Sequence, residues 1–130
     1  MKPDLVFRIG ILLLATGIGA GAFGAHGLKD AVTPQALETF EIGVRYQMYG
    51  ALGLMASAAW FAKTGARFGN FTAWAIVIGI LIFSGTLYGI TLGGPKWLGA
   101  ITPIGGTLQI VGWAIVAFAG SRSAKANQEV

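Results

Sequence analysis

Charged side chains are missing from four long stretches of this chain. Asp, Glu, Lys and Arg are absent from residues 9–28, 46–62, 68–95 and 97–121. A helix needs about 20 mostly apolar residues to cross the ~30 Å hydrocarbon core of a bilayer. The pattern therefore predicts an all-α polytopic membrane protein, a single domain over residues 1–130 with four transmembrane helices in an antiparallel bundle. The predicted spans are about 5–28, 46–62, 71–92 and 102–119.

The segment between the first two spans has a helical pattern of its own. Thr33 is a candidate N-cap, with Pro34 at the first helical position. Apolar and charged residues then occupy opposite faces, with Leu37, Phe40 and Val44 against Glu38, Glu41 and Arg45. This predicts a short amphipathic helix at about 34–45 in the first outer loop. The alternative is one long second helix that runs from 34 to 62.

Glycine and proline indicate packing faces and helix ends. Rows of glycines at four-residue spacing predict close helix packing, because small residues let helix backbones approach in lipid. These rows are Gly17 with Gly21, and Gly85 with Gly89 and Gly93. The fourth span is expected to begin at Thr102 or Pro103, since proline suits the first turn of a helix better than its interior.

Composition narrows the possible chemistry. Charged residues are 11% of the chain, against roughly 25% in an ordinary soluble domain. The absence of cysteine excludes thiolate sites, and one histidine cannot build a zinc site. The net charge of +4 comes from short, separate segments, which is typical of topology signals and not of nucleic-acid binding. We expect no metal, no cofactor, no nucleic-acid partner and no enzymatic activity.

The basic residues predict an orientation, because Lys and Arg in short loops favour the cytoplasmic side. Six of them fall on the side of the two termini, and three fall on the other side. The first group is Lys2, Arg8, Lys63, Arg67, Arg122 and Lys125, and the second is Lys29, Arg45 and Lys96. Both termini are therefore predicted to be cytoplasmic.

Polar side chains from all four helices are predicted at one depth, in the outer half of the bilayer. They are His26, Tyr46, Gln47, Tyr88, Thr102 and Gln109. Each also has a structural interpretation: hydrogen bonding between helices for the glutamines, interfacial anchoring for the tyrosines, and solvation at the membrane surface for His26. The sequence leaves both interpretations open.

Several motifs carry a resemblance over nearly the whole chain. They are GAFGAHGL at 21–28, RYQMY at 45–49, LIFSGTLY at 81–88, LGAITPIGG at 98–106 and GW at 112–113. With them the chain resembles a four-helix membrane family of unknown function that includes bacterial inner-membrane proteins and animal transmembrane protein 256. The resemblance implies a multi-pass protein of the bacterial inner membrane, and it adds Ser84 to the candidate cluster. Members of that family carry histidine where this chain has Gly50, so the resemblance implies no paired-histidine site here.

Two functions follow as hypotheses. The first is an accessory, assembly or stability factor for a membrane complex, with the lipid bilayer, other membrane proteins or further copies of the chain as partners. The alternative is a binding or transport protein for a small polar molecule, a lipid headgroup or a quinone. The alternative requires His26, Gln47, Tyr88 and Gln109 to line one shared cavity.

Overall fold

The computed structural model describes residues 1–65 and 69–129, with side chains described as far as Phe118. The described residues form four long helices and no strand. Helix α1 runs over Pro3–Phe23 and continues as a π-helical turn, Gly24–Leu28. The other helices are α2 at Pro34–Thr64, α3 at Asn70–Thr91 and α4 at Leu98–Glu129. The predicted all-α class is confirmed.

Three helical segments of the described chain are long and apolar enough to cross a membrane: Pro3–Leu28, Asn70–Thr91 and Leu98–Phe118. They correspond to the first, third and fourth predicted spans. Helix α2 is not among them, although it contains the predicted span 46–62.

The segment 34–45 does not form a separate helix. It is the first part of α2, which continues without a break over 31 residues. The Thr33 side chain caps the helix by accepting a hydrogen bond from the Ala36 N–H at 3.1 Å. Of the two interpretations that the pattern allowed, the structure has the long second helix.

Helix α4 begins one turn earlier than predicted and carries Pro103 in its interior. The turn at residues 95–97 is continuous with α4, because the Leu98 N–H donates a hydrogen bond to the Pro95 carbonyl at 3.2 Å. The Thr102 hydroxyl donates to the Leu98 carbonyl at 3.2 Å. Local turn geometry at residues 95–97 therefore sets the start of the helix, and proline is accommodated in its second turn.

The helices pack in chain order, with α2 and α3 at the centre and α1 and α4 outside. Residue numbers increase along α1 while those of the contacting residues on α2 decrease. Gly10 lies beside Met55, and Gly24 lies beside Phe40. Helices α1 and α2 thus run in opposite directions. The buried core joins α1, α2 and α3 through Val6, Leu54, Phe61, Ile76 and Ile80.

The five glycines assigned to packing have different surroundings. A Cβ added to Gly17 would lie 2.7 Å from Met48 Sδ, and one on Gly89 would lie 3.1 Å from Leu98 Cδ1, so both lie in tight contacts. Gly21 has ordinary contact with Val44. Gly85 and Gly93 do not pack in this way. Gly85 faces open space, and Gly93 has a φ of 97° in the turn after α3.

The N-terminus lies beside the start of α3. The Met1 ammonium donates a hydrogen bond to Asn70 Oδ1 at 2.6 Å, so the first residue and the α2–α3 connection share one end of the molecule. Arg67 of the predicted cytoplasmic set lies outside the described residues, as do the side chains of Arg122 and Lys125. The orientation in the membrane stays a prediction.

Candidate functional site

Gln47 connects three helices from the centre of the bundle. It lies on the buried face of α2, with 6% of its surface exposed. Its Nε2 donates to the Leu13 carbonyl and to Thr16 Oγ1 on α1, each at 2.9 Å. The Tyr88 hydroxyl on α3 donates to Gln47 Oε1 at 2.7 Å. One side chain thus ties α1, α2 and α3 together at mid-height.

Two further hydrogen bonds join α2 and α3. Ser84 Oγ donates to the Gly43 carbonyl at 2.7 Å, and Thr91 Oγ1 donates to the Ala36 carbonyl at 3.2 Å. Ser84 lines a cavity of about 250 Å³ between α1, α2 and α3, together with Thr16, Gln47 and Tyr88. We call this the first cavity.

The polar groups around the first cavity are bonded to one another. In the part of the chain that the structure describes, no buried side-chain nitrogen or oxygen lacks a hydrogen-bond partner. An interhelical hydrogen bond in a membrane contributes about 0.6 kcal/mol on average, whereas a buried amide without a partner costs about 1–3 kcal/mol. The geometry therefore supports a structural role for Gln47, Ser84 and Tyr88.

A second cavity, of about 350 Å³, lies between α2 and α4 over α3. Aromatic rings form most of its wall: Tyr46, Tyr49, Phe83 and Trp113. The ring centroids of Tyr46 and Phe83 are 5.0 Å apart, and those of Tyr46 and Tyr49 are 5.5 Å apart. Tyr46 and Tyr49 are 44% and 58% exposed, so this cavity opens at the surface of the bundle.

Gln109 lies in the wall of the second cavity and is partly buried. Its Oε1 is 3.7 Å from the position that a Cβ on Gly50 would take. Unlike Gln47, it has no hydrogen-bond partner for its side chain among residues 1–65 and 69–118. Gln109 is thus an amide with free hydrogen-bonding capacity beside an aromatic cavity.

The seven candidate residues are divided among four places. Gln47, Ser84 and Tyr88 line the first cavity, and Tyr46 and Gln109 line the second. Thr102 bonds to Thr86 at 2.6 Å between α3 and α4. His26 is exposed on the π-helical turn and lines neither cavity. His26, Gln47, Tyr88 and Gln109 therefore do not share one cavity.

Helix geometry explains this division. Neighbouring residues point about 100° apart around a helix, so Tyr46 and Gln47 lie on different faces of α2 although they are only one residue apart. Depth in the membrane, which stays a prediction, does not determine which face of a helix a side chain occupies.

Four residues that line the cavities were not in the predicted cluster: Thr16, Tyr49, Phe83 and Trp113. One feature of the sequence pointed to Thr16, namely the glycine that follows it. Gly17 leaves room for the Gln47 amide, because a Cβ on Gly17 would lie 3.4 Å from Gln47 Nε2. Phe83 and Trp113 are apolar positions in charge-free stretches; they lie in the motifs at 81–88 and 112–113, but the hydrophobic pattern alone does not assign them to a cavity.

Histidine and acidic residues give no sign of a metal centre. Among the described residues, no three or more His, Asp or Glu side chains are grouped so that they could hold a metal ion. The ion pair of Arg8 and Asp4, with Nε and Oδ2 3.1 Å apart, is an exposed i, i+4 contact on α1.

Comparison with known proteins gives a consistent set of relatives. Residues 20–106 match the family model described as a protein of unknown function (DUF423). The chain is 42% identical over 108 residues to the UPF0382 membrane protein SSP2132 of Staphylococcus saprophyticus, covering 83% of this chain and 89% of that protein. It is 38% identical over 113 residues to the UPF0382 membrane protein YwdK of Bacillus subtilis, covering 85% and 91%. No solved structure matches. This chain thus belongs to the DUF423 family of membrane proteins of unknown function.

Proposed function

We propose that this protein is a four-span protein of the bacterial inner membrane with both termini in the cytoplasm. We further propose that it is not an enzyme, and that it serves as an accessory, assembly or stability factor that associates with other membrane proteins or with further copies of itself. The functional proposal rests on one observation: the buried polar groups around Gln47 all have hydrogen-bond partners within the bundle.

The contacts of α2 support its role as the fourth span. It is flanked by α1 and α3, and Trp113 of α4 packs against Gly53. A helix surrounded by protein can carry polar residues that lipid would not tolerate, because their partners lie on the neighbouring helices. At 1.5 Å per residue α2 is about 46 Å long, so its first turns would project beyond the hydrocarbon core.

The polar groups that line the first cavity already have hydrogen-bond partners, and this supports a non-enzymatic role. A catalytic or transport site needs polar groups that are available to a substrate, and the amide of Gln47 is occupied by Thr16, the Leu13 carbonyl and Tyr88. His26 lies apart from both cavities. These side chains serve the cohesion of the helices.

The outer face of α1 supports association with another helix. Ala15, Gly19 and Ala22 are exposed along it, and no atom lies within 4 Å of a Cβ built on Gly19. Small residues favour helix contacts in lipid because they allow close van der Waals packing. This face has room for a helix of a partner.

The test is recovery of the full-length protein with its surrounding membrane in polymer-bounded native nanodiscs, followed by native mass spectrometry and protein identification. We expect assemblies larger than one copy of this chain. The variant Gly19→Leu should reduce their recovery at least fivefold. The matched control is Ala114→Leu, a small-to-large change at an exposed position of α4, which should leave recovery unchanged.

Recovery of a lone monomer from several lipid compositions would overturn the accessory role. An equal loss of assemblies in both variants would exclude α1 as the contact face. Turnover of a substrate by the purified chain would overturn the non-enzymatic part of the proposal.

A further inference from the structure

The second cavity lies near the middle of two membrane-type helices. Gln109 follows the first residue of α4, Leu98, by eleven positions, about 16 Å along the helix. Phe83 lies thirteen positions after Asn70, the first residue of α3. If the first residues of α3 and α4 mark the two surfaces of a ~30 Å hydrocarbon core, the cavity lies near its centre, deeper than the outer-half position that the sequence predicted for Tyr46 and Gln109.

Its lining has the composition of a small-molecule site. Binding cavities are mostly apolar and aromatic, with a few polar groups that orient the ligand. Here three of the lining residues carry an uncharged polar group: Gln109, Tyr46 and Tyr49. None of these three groups has a hydrogen-bond partner in the described part of the chain. No lining residue is Asp, Glu, Lys, Arg or His.

The two glutamines give a direct comparison. Gln47 uses both ends of its amide within the bundle, whereas Gln109 uses neither among the described residues. An amide in hydrocarbon without a partner is unfavourable, so a ligand that accepts or donates a hydrogen bond would relieve that cost. The Gln109 NH₂ group and two phenol hydroxyls offer donors to such a ligand.

We propose that the second cavity is a binding site for a quinone, a neutral, planar, membrane-dissolved molecule with carbonyl acceptors and an apolar tail. The carbonyl oxygens would accept hydrogen bonds from Gln109 and the tyrosine hydroxyls. The ring would lie against the aromatic wall, where stacked and edge-to-face contacts are favourable. The tail would leave past Ile110, which is 72% exposed. This site is separate from the accessory role and does not depend on it.

Depth and charge select this occupant over a phospholipid headgroup. Headgroups lie at the surface of the hydrocarbon core, about 15 Å from its centre. A charged headgroup would also find no counter-charge in the cavity wall. A quinone is uncharged and resides in the hydrocarbon region, so both its location and its chemistry match.

Trp113 provides the readout, because quinones quench indole fluorescence on contact. The reporter form of the full chain carries Trp60→Phe, Trp74→Phe and Trp97→Phe. These three tryptophans are 48%, 50% and 62% exposed and lie outside the cavity. The reporter is reconstituted in nanodiscs of phosphatidylethanolamine and phosphatidylglycerol and titrated with menaquinone-4. We expect saturable quenching.

Three variants of the reporter locate the binding site. Gln109→Leu removes the amide at similar side-chain size and should weaken the apparent affinity at least fivefold. Tyr88→Phe deletes a hydroxyl in the first cavity and should leave the affinity unchanged. Gly106→Leu serves as a second perturbation of the site, because Gly106 lines the cavity with the Phe83 ring 3.6 Å from its Cβ position. This substitution should abolish the saturable quenching by menaquinone-4.

Quenching that rises linearly without saturation would overturn the proposal, as would equal affinities in the reporter and Gln109→Leu. The same nanodiscs with an acyl-brominated phosphatidylcholine test for a lipid occupant. If the brominated lipid quenches Trp113 in a way that depends on Gln109, and menaquinone-4 gives no saturable quenching, the cavity would be assigned to phospholipid. If the chain self-associates, Gln109→Leu abolishes that association and the reporter shows no menaquinone binding, the cavity would be assigned to a second copy of the chain.

Discussion

Gly79 and Gly105 bring the backbones of α3 and α4 into direct contact. A Cβ on Gly79 would lie 2.8 Å from the Gly105 carbonyl oxygen, and a Cβ on Gly105 would lie 2.7 Å from the Gly79 carbonyl oxygen. Backbone atoms cannot rotate away as side-chain atoms do, so only glycine fits at both positions. This contact brings Gln109 close to α3, since its Cγ is 2.9 Å from the Gly79 Cβ position.

Gly105→Ala should destabilise the fold because its methyl group would overlap the backbone of α3. Overpacking of this kind costs about 1–3 kcal/mol. Thermal or SDS-induced unfolding in mild detergent measures the change. Gly85→Ala is the matched control, because nothing lies within 4 Å of its Cβ position, and its effect should stay within about 0.5 kcal/mol. Equal stabilities for the two variants would contradict the α3–α4 contact.

Gln47→Leu and Tyr88→Phe should show non-additive effects. Each removes one side of the hydrogen bond between the Tyr88 hydroxyl and Gln47 Oε1. We expect about 2 kcal/mol of destabilisation for Gln47→Leu, which also deprives Thr16 of its donor, and about 0.6 kcal/mol for Tyr88→Phe. The double variant should lose less than the sum, as measured by a double-mutant cycle of unfolding free energies. Strict additivity would show that the two side chains do not interact.

Single cysteines should report the orientation of α2. The chain has no cysteine of its own, so Glu38→Cys and Lys63→Cys each create one thiol at an exposed position near opposite ends of this helix. In intact cells a membrane-impermeant maleimide should label Glu38→Cys. It should reach Lys63→Cys only after the membrane is permeabilised. Labelling of both thiols from outside would show that α2 does not cross the membrane, and the reverse pattern would place the termini outside.

Gly93→Ala should strain the turn between α3 and α4. Gly93 has a φ of 97°, a conformation that costs roughly 1–2 kcal/mol for a residue with a Cβ. The expected loss of unfolding free energy is of that size. Gly69→Ala is the control, since Gly69 has a φ of −61° and, among the described residues, the atom nearest to its Cβ position is Thr72 Oγ1 at 3.7 Å. A loss in the control as large as in Gly93→Ala would remove backbone conformation as the cause.

Several features of the fold follow from local sequence alone. Charge-free stretches predicted helices that the structure contains, because a long apolar segment has few alternatives to a helix in lipid. Thr33 and Pro34 marked the start of α2 correctly, since capping depends only on neighbouring residues. The start of α4 differed, because the turn at residues 95–97 extends the helix beyond the position that Pro103 indicated.

The apolar character of the helices and the position of each polar group along its own helix were thus determined by the sequence, because both depend only on composition and residue order. Only the tertiary structure decided which faces meet. Rotation of α2 directs Gln47 into a saturated hydrogen-bond network and Tyr46 into an aromatic cavity with Gln109. Gly79 and Gly105, not the row from Gly85 to Gly93, set the closest approach of α3 and α4. Helix rotation and crossing depend on packing among residues far apart in the chain, and a one-dimensional pattern does not contain that information.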